Sequence, residues 1–434
     1  MLLIGLIKSQ LDLILGFAMN NVSQEHSEKE AALNSTPVNE KEKAADLQLS
    51  RELTTDDPMF DDIRHYRDDE VPEVVRRVIN DSSLLGGLAR NMFPSLPKFM
   101  HPVLKPVIRA ILRKKFSKIT DIRGCQEYVA RFMEGVIKNS TDGFTYEGFD
   151  KLDPAKGYLF ISNHRDISLD PAFVDMCCFY NKLDTVKIAI GDNLLRLPVA
   201  TDLMKLNKSF IVKRSLSSVK DKIKAFSELS AYIGAAIREN HNVWIAQREG
   251  RAKDGNDATE DAILKMFYMY GKKLKMSFPD YVKSLNIVPV SISYEFDPGD
   301  VMKARELYEK SKNGNYTKSE FEDIDSIVSG IKGYKGRVHV SAGAPLTGEY
   351  QDAATLAHAI DTYIYSHYQL FPSVLVAAGH DEKVSEKDKS RFMERINSAP
   401  EELRPYMMKM YGTPYFNYEK CVSEISAKQE SEAV

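Results

Sequence analysis

The 434 residues are enough for one large domain or two ordinary ones with a sizeable core, and a hydrophobic fraction of 43% fits a globular protein. A formal net charge of -3 and a sequence pI near 6.4 exclude a globally basic nucleic-acid binder, so any electrostatic partner must be met by a local patch. Four cysteines (Cys125, Cys177, Cys178, Cys421), two of them neighbours, argue against a disulfide framework or a paired-thiol metal site, and a reducing compartment is expected.

The chain opens on MLLIGLIKSQLDLILGFAMN, which is apolar but interrupted by Lys8, Gln10 and Asp12. It falls short of the roughly 20 apolar residues that span a bilayer. A basic start and a small-residue cleavage site are missing too, which argues against a secretory signal. Two readings fit the segment: an over-extended start with translation from Met19, or a short helix on a membrane surface. No other stretch is apolar enough to cross a bilayer, so no transmembrane helix is expected. Residues 20–57 are rich in Ser, Asn, Glu and Lys and poor in aromatics, and bury too little surface to offset ordering. Residues 1–57 are therefore expected to form a disordered tail behind the apolar start.

Helical spacing returns between Met59 and Asp81 through Val74, Val75 and Val78. From Leu84 to Thr120 the chain carries Arg90, Lys98, Lys105, Arg109, Arg113, Lys114, Lys115 and Lys118 but no acid. Apolar residues such as Phe99, Val103, Val107, Ile108 and Leu112 run between these charges. A helix with one apolar face and an acid-free basic rim suits an anionic lipid surface. The alternative is a helix pair packed on the next domain with a solvated basic face. The length without acids favours the first reading, and residues 58–142 are expected to be a helical, membrane-facing region on a peripheral protein of the cytoplasmic face.

After Gly143, apolar runs bounded by Gly, Asn and Asp alternate with helical stretches. The expected strands are Tyr158–Ser162, Val186–Ile190, Phe210–Val212, Val243–Ala246, Ile287–Tyr294 and Arg337–Ala342. The expected helices are Ala172–Tyr180, Ser217–Glu239, Thr259–Lys272 and Ala353–His367. This alternation predicts an α/β domain over 143–376, with a largely parallel sheet flanked by helices and sites outside the carboxyl ends of its strands. Residues 377–434 read as one or two short helices followed by a frayed end, SAKQESEAV. No internal repeat is found.

The stretch YLFISNHRDISLDP delivers His164 just past the end of an apolar strand. Asp170 followed by Pro171 is a helix-start signal, Asp as N-cap and Pro in the first turn. A neutral imidazole on such a loop can take a proton from a hydroxyl if a carboxylate holds its other nitrogen, and Asp170 or Asp166 is near enough in sequence to do so. Taken alone, such a stretch is more often a turn with a satisfied His, and Asp-Pro more often a plain cap. At another expected strand end, WIAQREGRAKDGND places Glu249, Gly250, Arg251 and Lys253 in a turn whose backbone and cations suit a phosphate. The apolar run in NKSFIVKRS similarly ends in Lys213 and Arg214. Together these point to a basic cleft at one sheet edge that binds an anionic substrate and uses one uncharged base.

In order, SNHRDISLDP, NKSFIVKR, REGRAKDG and IVPVSISYE resemble the four motifs of the glycerolipid acyltransferases, over roughly 143–370. The resemblance implies that His164 is the general base activating a glycerol hydroxyl, which attacks an acyl thioester directly, with Asp170 orienting the ring. It also implies that Arg214 and the Glu249–Arg251 turn hold the acceptor phosphate and that Pro289 shapes the acyl side. The donor would be acyl-CoA or acyl carrier protein; the acceptor would be glycerol phosphate or a lysophospholipid, 1-acylglycerol-3-phosphate first among them. No cofactor, metal or nucleic acid is implied. Two departures leave choices open. The family spaces His and Asp by four residues and this chain by five, so Asp166 competes with Asp170; and Arg follows Glu-Gly directly, so either Arg251 or Lys253 is the phosphate contact. Two other classes stand beside this one: a metal-dependent hydrolase using His164, Asp166 and Asp170 as ligands, and a non-catalytic lipid-binding surface protein. The remaining histidines, His26, His65, His101, His241, His339, His358, His367 and His380, show no metal-ligand spacing.

Overall fold

The computed structural model describes residues 52–93, 95–195, 198–319 and 322–432; the apolar start and most of the expected tail lie outside the described residues. In chain order the elements begin with α1 (Val71–Asn80), α2 (Ser82–Met92), α3 (His101–Phe116), α4 (Ile122–Ser140) and β1 (Gly143–Glu147). Next come β2 (Leu159–Ser162), α5 (Leu169–Tyr180), β3 (Lys187–Gly191), α6 (Pro198–Leu206), β4 (Ser209–Val212), α7 (Val219–Arg238) and β5 (Val243–Ala246). Then follow α8 (Asp261–Lys273), α9 (Phe278–Ser284), β6 (Ile287–Tyr294), α10 (Asp300–Asn313), α11 (Glu322–Lys332) and β7 (Arg337–Ala342). Last are α12 (Ala353–Ser366), α13 (Pro372–Ala377), α14 (Glu386–Ser398) and α15 (Arg404–Glu432).

The seven strands run in the order β1-β7-β6-β2-β5-β3-β4. The pairs β1–β7, β2–β5, β2–β6 and β3–β4 are parallel and β6–β7 is antiparallel, so the fold is α/β with a mostly parallel sheet and flanking helices. The chain gathers into two compact units that interleave in sequence. Of the described residues, one unit comprises those up to 132 with 187–239 and 267–277; the other comprises those in 133–186, in 240–266 and from 278 onward. Crossover connections cause this, because consecutive strands need not be spatial neighbours.

In the first unit, residues 52–57, expected to continue the tail, are folded. Leu53 is buried, and the Thr55 amide and hydroxyl donate to the Glu239 carboxylate at 3.2 and 2.6 Å. Helix α3 has two apolar faces. Ile108 and Leu112 are buried with Leu84, Leu85 and Leu88 of α2, each such side chain contributing about 1.5–3 kcal/mol. Phe99 just before α3, with Val103 and Val107 on it, stays 75, 66 and 52% exposed. Helix α3 thus packs on α2 through one face and leaves an apolar stripe exposed on another.

The second unit holds β1, β2, β5, β6 and β7. All eight residues of β6 are buried, and its serines are satisfied, Ser291 donating to the Ile364 carbonyl at 3.0 Å and Ser293 accepting from the Gln369 amide at 2.9 Å. Pro289 sits in this central strand without breaking the ladder to β7, because β6–β7 pairing begins only at Val290. Strand β1, absent from the expectations, is an edge strand with a mostly exposed pattern, which left no alternation to read. The end expected to fray is helical as far as Glu432, continuing the 29-residue α15. Met407, Met410 and Tyr411 recur at helical spacing and bury against Phe296, Ala304, Phe392 and Ile396, which holds the helix despite Pro414.

Candidate active site

The strands β2, β5 and β6 are parallel neighbours, so their carboxyl ends open onto one edge, the place where open α/β sheets build sites. Asn163, just past β2, continues that register with its side chain: its amide donates to the Ile292 carbonyl at 2.9 Å and accepts from the Ile292 amide at 2.8 Å. A side-chain amide here replaces a peptide group where the ladder has ended at Ser162↔Val290. His164 follows on the loop before α5.

His164 Nδ1 lies 2.8 Å from Asp170 Oδ2. The buried carboxylate only accepts, so Nδ1 carries the proton and Nε2 of the neutral ring keeps its lone pair. The same Oδ2 takes the backbone N–H groups of Arg165 and Asp166 at 2.6 and 2.9 Å, and Oδ1 takes the Tyr294 hydroxyl at 2.7 Å. Trp244 of β5 sets its indole edge-on to the imidazole, ring centroids 5.7 Å apart, and is tied back through Nε1 to Ser162 Oγ at 3.0 Å.

The expectation that Asp170 is the N-cap of the following helix is corrected. Helix α5 starts at Leu169 with Ser168 at the cap position, and Asp170 lies inside the first turn. Asp166 takes the capping role instead, accepting from the amides of Ser168 and Leu169 at 3.0 and 2.8 Å. Pro171 is tolerated because amides of the first turn have no intrahelical acceptor. The other Asp166 oxygen is packed on α11 so closely that a Cβ at Gly330 would stand 2.2 Å from it. Burial, with the neighbouring Asp170 charge, pushes the Asp166 carboxyl above the usual aspartate range. Of the two carboxylates the sequence left open, Asp170 therefore touches the ring and Asp166 shapes the loop.

The Glu249–Lys253 turn is fastened to this loop: the Ala252 amide donates to the His164 carbonyl at 2.9 Å. Gly250 adopts φ +72°, a conformation that glycine reaches without strain. Glu249 is exposed, and its amide donates to Glu260 at 3.1 Å. Arg251 donates to the Ser326 hydroxyl, a neutral partner, whereas Lys253 pairs with Glu306 at 2.7 Å, which also binds Lys310 at 2.7 Å. Burial draws Lys253 below the usual lysine value against that pairing. Pro289 is buried in β6, its ring near the place where a Gly343 Cβ would be. Arg214 belongs to the first unit, past the end of β4, where its amide donates to Asp192 at 3.1 Å. Among the described residues, no group of three or more His, Cys, Asp or Glu is placed to hold a metal ion.

Behind the loop, buried Arg165 pairs with Asp257 and donates to the Gly255 carbonyl at 3.2 Å, while Lys303 pairs with Asp297 and donates to the Arg165 carbonyl at 2.6 Å. These ion pairs, with Asn163, Trp244 and Tyr294, were not singled out from the sequence; the period-2 pattern ending β6 at Tyr294 was the available signal. Replacing Asp257 by Ala leaves the Arg165 charge buried without its counter-ion. The expected cost is about 3–5 kcal/mol, read as a lower urea midpoint with unchanged denaturant slope.

Residues 143–293 match the family model described as Acyltransferase. Among solved structures, the chain is similar to the crystal structure of the 1-acyl-sn-glycerophosphate (LPA) acyltransferase, PlsC, from Thermotoga maritima, at 12% identity and a TM-score of 0.30, with 61% of this chain and 89% of that chain covered. No curated protein matches the chain significantly. The matched segment 143–293 carries the His164–Asp170 pair and the turn fastened to it.

Proposed function

We propose that the protein transfers a fatty acyl chain from an acyl thioester, acyl-CoA or acyl carrier protein, to the hydroxyl of a glycerophosphate or lysophospholipid, with 1-acylglycerol-3-phosphate as the preferred acceptor. The observation that carries this is the hydrogen-bonded His164–Asp170 pair, with Nε2 left as a base beside a cationic turn. Nε2 takes the acceptor's hydroxyl proton as the oxygen attacks the thioester carbonyl. The C–S bond then breaks, and the imidazolium returns its proton to the departing thiolate. Asp170 stabilises the transient imidazolium throughout. Arg251, whose hydrogen-bond partner is neutral, is assigned the acceptor phosphate, and Lys253, neutralised by Glu306, braces the turn. Purified protein with acyl-CoA is expected to release free thiol only when the acceptor is added; release at the same rate without acceptor would instead mark a thioesterase.

The exposed stripe of Phe99, Val103 and Val107, continued by basic Arg113 and Lys114, is assigned to an anionic membrane surface, which makes the protein peripheral. No helix among the described residues is long and apolar enough to cross a membrane. Replacing Val103 and Val107 together by Asp removes two exposed apolar contacts and adds two acids. Partitioning onto phosphatidylglycerol-containing vesicles is expected to fall at least about tenfold, while turnover of a water-soluble short-chain acceptor is unchanged. Undiminished vesicle binding would remove α3 from the docking surface.

A further inference from the structure

We infer that Tyr294 is a positioning residue for the His164–Asp170 pair, its phenol fixing the carboxylate plane and tempering the carboxylate's pull on the imidazole proton; this rests on His164 acting as the general base. Three donors already converge on Asp170 Oδ2, and the Tyr294 hydroxyl engages Oδ1 at 2.7 Å, so the carboxylate is gripped at both oxygens and cannot rotate. Tyr294 is itself held. It is the buried last residue of β6, registered against Val338 of β7, and its ring meets the edge of Phe173 from α5, centroids 5.9 Å apart.

The chemical consequence follows from charge sharing. Each donor to a carboxylate draws off negative charge, so a carboxylate that already accepts from three other donors binds the imidazolium less tightly than a bare one would. A proton taken from the acceptor is then released to the thiolate instead of remaining on the ring. The other charged groups around the pair are Asp166 on the same loop, Arg165 and Asp257 behind it, Asp297 and Lys303 beyond β6, and Arg251 on the fastened turn. None of these is altered by removing the phenol oxygen.

The chain contains one tryptophan, and it is Trp244, whose ring lies 5.7 Å from that of His164. A protonated imidazole quenches a neighbouring indole, so the emission of the intact protein titrates with His164 without any substrate, and the step is assigned by its loss in His164→Gln. In Tyr294→Phe this step and the acid limb of the kcat/KM profile are expected to move to higher pH by roughly half to one unit. In the same variant kcat is expected to fall about tenfold with KM little changed. In an Asp170→Asn background, where the phenol only accepts from the asparagine NH₂ and no carboxylate charge is left to temper, Tyr294→Phe is expected to cause a further loss much smaller than tenfold. Incorporating 3,5-difluorotyrosine at 294, which keeps the hydroxyl and makes it a stronger donor, is expected to move the step the opposite way, so the test survives a poorly folded Phe variant. A step that stays at the wild-type pH with both substitutions, or a Tyr294→Phe loss of equal size with and without Asp170→Asn, would overturn the assignment. If the wild-type protein transfers no acyl group, the general-base reading fails by itself, and the emission step still decides whether Tyr294 acts on the pair.

Discussion

Replacing His164 by alanine is expected to lower the rate of acyl transfer by about 10²–10⁴-fold while leaving KM for the acceptor nearly unchanged. The expectation follows from what the ring does and does not touch. Its Nδ1 is committed to Asp170, its flank to Trp244, and its Nε2 carries the lone pair, so the side chain is built to accept one proton at one atom. The phosphate contact assigned to Arg251 lies on a different segment, fastened through the backbone of His164, and alanine keeps that carbonyl. Binding should survive and chemistry should not. The measurement is thiol release with acyl-CoA and 1-acylglycerol-3-phosphate under saturating acceptor. Turnover within threefold of wild type would show that another group takes the proton, and a loss confined to KM would move His164 into the binding site.

The parallel part of the sheet was legible because its strands are short apolar runs between turn residues, and β5, β6 and β7 fall on the expected boundaries. The His164 loop was legible for the same reason: it follows a strand, and a strand's carboxyl end is where an α/β sheet exposes side chains. What hid the rest is separation along the chain. Tyr294 is 124 residues from Asp170, and Asp257 is 92 from Arg165, so their pairing depends on a strand order that local pattern does not encode. The choice between Arg251 and Lys253 stayed open because Glu306, which neutralises one of them, is 53 residues further on. The same limit applied at the C-terminus, where a charged and polar composition masked the few buried positions, Met407, Met410 and Tyr411, that anchor α15.

Changing Asp170 to Asn and, separately, Asp166 to Asn is expected to give opposite results, although both carboxylates are buried within the same turn. At Asp170 the two backbone amides of Arg165 and Asp166 demand an acceptor at the Oδ2 position. The asparagine carbonyl takes that place, and its NH₂ turns toward the Tyr294 oxygen, which accepts as readily as it donates. Nδ1–H of His164 therefore keeps an acceptor and the ring keeps its tautomer, but the negative charge that stabilises the imidazolium is gone. The expected loss in kcat is about a hundredfold, toward the lower end of what general-base catalysis supplies, with little change in KM. At Asp166 the carboxylate accepts from Ser168 and Leu169 through one oxygen, and an asparagine carbonyl serves both amides as well. That variant is expected to turn over within a few-fold of wild type and, being relieved of a buried acid beside Asp170, to lose no stability. Steady-state kinetics and urea unfolding of the two variants side by side decide it: a hundredfold loss in the Asp166 variant with full activity in the Asp170 variant would reverse the roles, and equal losses would mean that the turn as a whole, and not one carboxylate, sets the imidazole.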